Sequence, residues 1–195
     1  MDLFREGSET NQHLMLKFNA FSLLKLLGCN LVQLEFVVGC TWRNKSLGQF
    51  VVDAVGVNTL RDEVYGIECK VRKDDFKKFK YKYKLVKEII EQNFDYFYIM
   101  IPKRSRIANK RDLPPPLGLI SFPLSFISCP TFTLVGHNIE KINKKTPFNV
   151  LKSADKSNRR TELECIIKSI AQQNTEYIYQ KIKKIIRTNK ITSVY

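Results

Sequence analysis

Two strand-like runs joined by a short polar turn constrain this chain more than any other stretch: "FVVDAVGV" at residues 50–57 and "VYGIECKV" at 64–71, with "NTLRDE" between them. Val, Ile and Tyr suit a pleated, half-buried surface and the polar residues between them mark a turn, so the pair predicts an antiparallel hairpin. With the turn centred between Leu60 and Arg61, Asp53 stands opposite Glu68. Directly opposed residues have Cβ atoms about 4.5–5.5 Å apart. Lys70, two residues beyond Glu68, projects from the same face, while Ile67, Cys69 and Val71 point to the other with Val52 and Ala54.

Two like charges set opposite each other destabilise a hairpin unless something positive lies between them. A local rule broken at one place is the mark of a functional position. The spacing suits two carboxylates that hold one divalent cation, with Lys70 beside it to position a water or stabilise developing negative charge. Hydrolysis of a phosphodiester is the chemistry this set fits. The plainer reading beside it is an exposed strand edge carrying Glu68 and Lys70, with Asp53 solvated near the turn.

The flanks supply a scaffold. Residues 10–28 carry Leu14, Phe18, Phe21, Leu24 and Leu27 at spacings of three and four and end in Gly28, which predicts an amphipathic helix. "LVQLEFVV" (31–38) reads as a first strand. A second helix is expected over about 73–92, with Phe76, Phe79, Tyr83, Val86 and Ile90 facing a core and Lys80, Lys84 and Lys87 on another side. "FDYFYIMI" (94–101) lacks alternation, as in a strand covered on both faces. "LGLISF" and "TFTLVG" follow as short strands, and 161–187 as a helical tail that can pack on the domain, extend a binding surface or mediate a homodimer. The order predicts an α/β or α+β fold, a mixed β-sheet flanked by helices with a C-terminal helical extension.

"VVDAVGV" followed by "ECK", with fourteen residues between Asp53 and Glu68, resembles the D…(D/E)xK signature of the PD-(D/E)xK nuclease superfamily, whose restriction-endonuclease-like core has the order αβββαβ. The resemblance spans roughly residues 8–122. It is closest to the MmcB-like DNA-repair branch, through "RKDDFKKF", "FYIMIPK" and Gly118-Leu119-Ile120. It implies a nuclease core over 1–140 and an extension over 141–195. It also implies that Asp53 and Glu68 are metal ligands, Lys70 the catalytic lysine and the Cys69 carbonyl a further metal contact. Many members add a glutamate from the first helix; Glu9 is the best match and Glu35 a second candidate. Val52 replaces the proline of the family's name. The cofactor so implied is Mg²⁺, with Mn²⁺ as a substitute, and the activity that of a DNA endonuclease in repair, recombination or a mobile element. A non-cleaving DNA-binding module on the same fold is the alternative.

Charge agrees with a polyanionic partner. The chain of 195 residues has a formal net charge of +14. Residues 1–69 hold 6 basic and 8 acidic side chains, whereas 70–111 hold 14 basic and 5 acidic and 141–190 hold 13 and 4. Each phosphate that such a surface neutralises releases counterions. Arg72, Lys80 and Lys84 on the second helix are candidate DNA contacts, and Lys103, Arg104, Arg106, Lys110 and Arg111 form a candidate backbone clamp in a loop longer and more basic than a connector needs. Lysine runs also mark plain solvated faces, as in an interaction protein that binds no DNA. His13 can line the site or pack on the helix surface, Trp42 can stack on a base or fold onto the core, and the sequence identifies no partner for His137. Five scattered cysteines, Cys29, Cys40, Cys69, Cys129 and Cys165, form neither a disulfide framework nor a zinc pattern. With no signal-like N-terminus and no apolar run near 18 residues, the expectation is an intracellular protein without a membrane span.

Overall fold

The computed structural model describes residues 10–38, 50–122, 149–157 and 159–174. Glu9, the Trp42 loop, His137 and the strand expected at 131–136 lie outside them. The elements run α1 (Asn11–Leu26), β1 (Leu31–Val38), β2 (Phe50–Asn58), β3 (Glu63–Cys69), α2 (Lys73–Asn93), β4 (Tyr96–Pro102), β5 (Gly118–Phe122) and β6 (Asn149–Lys152). They build a six-stranded sheet in sequential order, in which β3, β4 and β5 run parallel and the other pairings are antiparallel. This is the expected mixed α+β architecture. The described residues up to Arg160 form one compact unit, and a second, whose residues 163–174 are helical, starts at Thr161. Strand β6 therefore belongs to the sheet rather than to an extension that begins at 141.

The hairpin holds the expected register: Ala54 pairs with Ile67, Val55 with Gly66 and Val57 with Val64. On α2 the whole stripe Phe76, Phe79, Tyr83, Val86 and Ile90 is buried. On α1 the expected stripe is buried only at its end, at Leu24 and Leu27. Leu16, Ala20, Leu23 and Leu24 are buried, while Leu14, Phe18 and Phe21 are 43%, 58% and 36% exposed. The helix has apolar residues all round, so two overlapping series satisfy the same spacing, and close packing on the sheet selected the one with the small Ala20. That approach also needs Gly56, because a Cβ there would lie 2.8 Å from both Cys29 Sγ and Leu24 Cδ2.

One irregularity matters for the site. Val32, Leu34, Ala54, Ile67, Cys69 and Val71 belong to or pack on the core that includes Leu16, Leu23 and Leu24 of α1. Phe36, Val38, Phe50 and Val52 share the parity of Leu34 and Ala54 and are buried, yet lie outside that core. Phe50 instead meets Phe97 and lies under Lys82 of α2. Val52 and Ala54 thus do not share a face as the sequence led us to expect. The alternation reverses at Glu35 and Asp53, which fall opposite each other between the pairs Leu34–Ala54 and Phe36–Val52. Glu35 there adopts a left-handed φ of 55°, a conformation that costs a non-glycine residue on the order of 1 kcal/mol.

Candidate active site

Beyond the Ala54–Ile67 pair, β2 and β3 are no longer paired with each other. Asp53 fills the gap: its Oδ2 accepts the Cys69 N–H at 2.7 Å, replacing a ladder hydrogen bond with a side-chain one. Glu68 and Lys70 follow on the same strand end, and Lys70 Nζ donates to Glu68 Oε1 at 2.6 Å. The Lys70 ammonium also lies 5.6 Å from the centre of the Phe79 ring of α2, a cation–π distance that helps to fix it. Asp53 and Glu68 are each 8% exposed. Glu68 Oε2 is buried with no hydrogen-bond partner, and such an oxygen is costly unless something else satisfies it.

The first helix supplies two residues that sequence reasoning passed over or undervalued. The Thr10 side chain caps α1 by accepting the His13 N–H. His13 and Lys17, one turn apart, then face the sheet together. His13 Nε2 is 3.4 Å from Asp53 Oδ2. Lys17 is 6% exposed, and its Nζ lies 2.7 Å from Glu35 Oε1 and 3.5 Å from Asp53 Oδ1. A lysine inside an apolar helix was the available signal, and its spacing from His13 should have raised it.

These contacts set the protonation states. Burial pushes the Asp53 carboxyl up, but the hydrogen bond and charge of His13, the Lys70 charge and the Cys69 N–H together hold it below its ordinary value. Glu68 goes the other way: burial first and the Asp53 charge second, against the pull of Lys70, raise it to about 7. Burial disfavours the Lys70 ammonium, yet Glu68, through charge and hydrogen bond, and then Asp53 keep its pKa above the ordinary lysine value. Lys70 is therefore a fixed positive charge near neutrality and not a base.

A cavity of about 390 Å³ opens on this group, lined among others by His13, Glu68, Lys70, Arg72, Lys78 and Lys82. Of the expected DNA contacts Arg72, Lys80 and Lys84, only Arg72, the N-cap of α2, lines it. Lys80 and Lys84 are exposed on α2 but do not; Lys78 and Lys82 take that position instead. Lys103, Arg104, Arg106, Lys110 and Arg111 are all exposed in the β4–β5 loop. That loop leaves the C-terminal end of β4, beside the end of β3 where the Lys70 N–H bonds to the Met100 carbonyl at 2.9 Å. Binding sites of open sheets with parallel strands favour this end.

Among the described residues no three or more His, Cys, Asp or Glu side chains are grouped so that they could hold a metal ion. A cation between Asp53 and Glu68 would need the Cys69 carbonyl and water to complete its shell, as Mg²⁺ tolerates. The partnerless Glu68 Oε2 fits such a guest. Also among the described residues, no helix is long and apolar enough to cross a membrane.

This is a mixed α+β architecture with a buried carboxylate–lysine group at the C-terminal end of the interior strand β3. The chain is similar in structure to a solved protein from Silicibacter pomeroyi described as the SPO1766 protein of unknown function, with a TM-score of 0.49 and 14% identity over 91% of each chain. No protein-family model and no curated protein matches the chain.

Proposed function

We propose that this protein is a metal-dependent DNA endonuclease of the PD-(D/E)xK type that acts on DNA inside the cell. The observation that carries the reading is the convergence of Asp53, Glu68 and Lys70 at the C-terminal end of the interior strand β3, with Glu68 Oε2 buried and without a hydrogen-bond partner. Asp53, Glu68 and the Cys69 carbonyl would hold the Mg²⁺ or Mn²⁺. When bound, such an ion polarises the scissile phosphate and acidifies a water.

The chain's own groups do the rest. Lys70, held as an ammonium, presents positive charge where the phosphoryl oxygens become more negative during attack. Its bond to Glu68 fixes the Nζ position, so no rearrangement is needed at that moment. Arg72, Lys78 and Lys82 on the cavity wall suit the flanking phosphates, and the loop from Lys103 to Arg111 suits a longer stretch of backbone.

Labelled DNA in duplex, single-stranded, nicked and branched forms, incubated with and without Mn²⁺, tests the proposal. Cleavage should require the metal and vanish in Asp53→Ala, Glu68→Ala and Lys70→Ala. Salt-sensitive binding with no cleavage of any form would replace it with the non-cleaving module. Binding of neither kind would leave the lysines as a solvated face.

A further inference from the structure

We propose that Lys17 is a built-in cation of this site, occupying the side of Asp53 where a second divalent ion would sit and so limiting the pocket to one. The inference rests on the metal-dependent reading above and adds what decides its stoichiometry.

The two sides of Asp53 differ. Toward Glu68 an acceptor is open, because Oε2 has no hydrogen-bond partner. Toward Glu35 the acceptors are taken: the Lys17 ammonium lies between Glu35 Oε1 at 2.7 Å and Asp53 Oδ1 at 3.5 Å. An ammonium is a compact point charge with three donors, so it can bridge two carboxylates much as a metal ion does. A divalent ion bridging the same pair would have to displace it or sit against it. Lys17 is 6% exposed and enters from the packed face of α1, which leaves it little room to withdraw.

The backbone is built around this bridge. Glu35 carries its left-handed φ of 55° at the level of Asp53, where the alternation of β1 and β2 reverses. A regular strand would need no such residue there. The conformation brings a carboxylate to Lys17 from the strand next to Asp53, and Lys17 reaches it from the helix. Glu35 is thus a partner of Lys17 and not the family's additional metal ligand.

Equilibrium dialysis of the full chain against Mn²⁺, with free ion counted by electron paramagnetic resonance, tests this without recourse to cleavage. The wild-type protein should bind one ion per chain. Lys17→Gln should bind two, and Lys17→Gln combined with Glu35→Gln should return to one. Two ions in the wild type, or a folded Lys17→Gln that still binds one, overturns the proposal. Glu35→Gln alone changes a half-exposed side chain that the fold tolerates, and should still bind one ion. None bound by that variant would make Glu35 a ligand and overturn the proposal as well. None bound by the wild type would instead sink the metal-dependent reading itself.

Discussion

The Cys69 N–H donates to Asp53 Oδ2 at 2.7 Å across the point where β2 and β3 part. One carboxylate thus closes the end of the hairpin and anchors the site, so its structural and chemical roles can be separated by substitution.

Asp53→Asn keeps an oxygen for the Cys69 N–H but removes the charge that faces Lys17, His13 and Lys70. Mn²⁺-dependent cleavage should fall at least about a hundredfold, the scale on which loss of one group at developing charge acts. Asp53→Ala also leaves the buried Cys69 N–H without its acceptor and should cost about 2 kcal/mol of stability. Urea denaturation of both variants beside their cleavage rates separates the effects; equal loss of stability in the two would contradict the anchoring role.

Glu68 gives the site a pH signature. Its folded pKa of about 7 exceeds the ordinary glutamate value of 4.5, so the folded state binds the proton more tightly than the unfolded chain. Stability from this group is present below about pH 4.5 and is lost as pH rises to about 7. The melting temperature of the wild type relative to Glu68→Gln should therefore decline between pH 5 and pH 8. A difference that stays flat, or grows with pH, would rule out the raised value.

The cavity wall predicts which lysines meet phosphates. Replacing Lys78 and Lys82 by Gln should lower the slope of log K against log salt for duplex DNA by roughly 2, about 0.9 per lost contact. The same change at Lys80 and Lys84 should lower it by less than half as much. Equal slopes for the two double variants would place the DNA elsewhere on α2.

Away from the site, Arg159 serves as a control. Its guanidinium is 8% exposed and joins Asp95 Oδ2 at 2.9 Å to Asp62 Oδ1 at 2.5 Å, and Asp95 Oδ2 also accepts the Val64 N–H at 2.8 Å. Arg159→Met leaves the buried Asp95 without its countercharge and should cost about 3 kcal/mol. Mn²⁺ binding by the folded fraction should be unchanged. A loss of binding there would mean that the two regions are coupled.

The hairpin register, the buried stripe of α2 and the order of the elements from α1 to β5 were legible in the chain, because each depends on neighbours close in sequence, whereas β6 was not read. Turn position brings Asp53 and Glu68 to the same open end of the hairpin, and a period near 3.6 buries Phe76 through Ile90. Lys70 beside Glu68 follows from the period of two along a strand.

That Asp53, Glu68 and Lys70 gather at the open end of the hairpin is written in residues close along the chain. What stands against them comes from packing between elements far apart in it. Which face of α1 is buried depends on how the helix packs on Gly56, since its apolar residues surround it, and that choice brings His13 and Lys17 to Asp53 and leaves Phe18 exposed. The reversal at Glu35 depends on one backbone dihedral that strand periodicity takes as regular. Contacts between residues 13, 17, 35 and 53 join separate elements, and their energies are settled by packing, which local spacing does not encode.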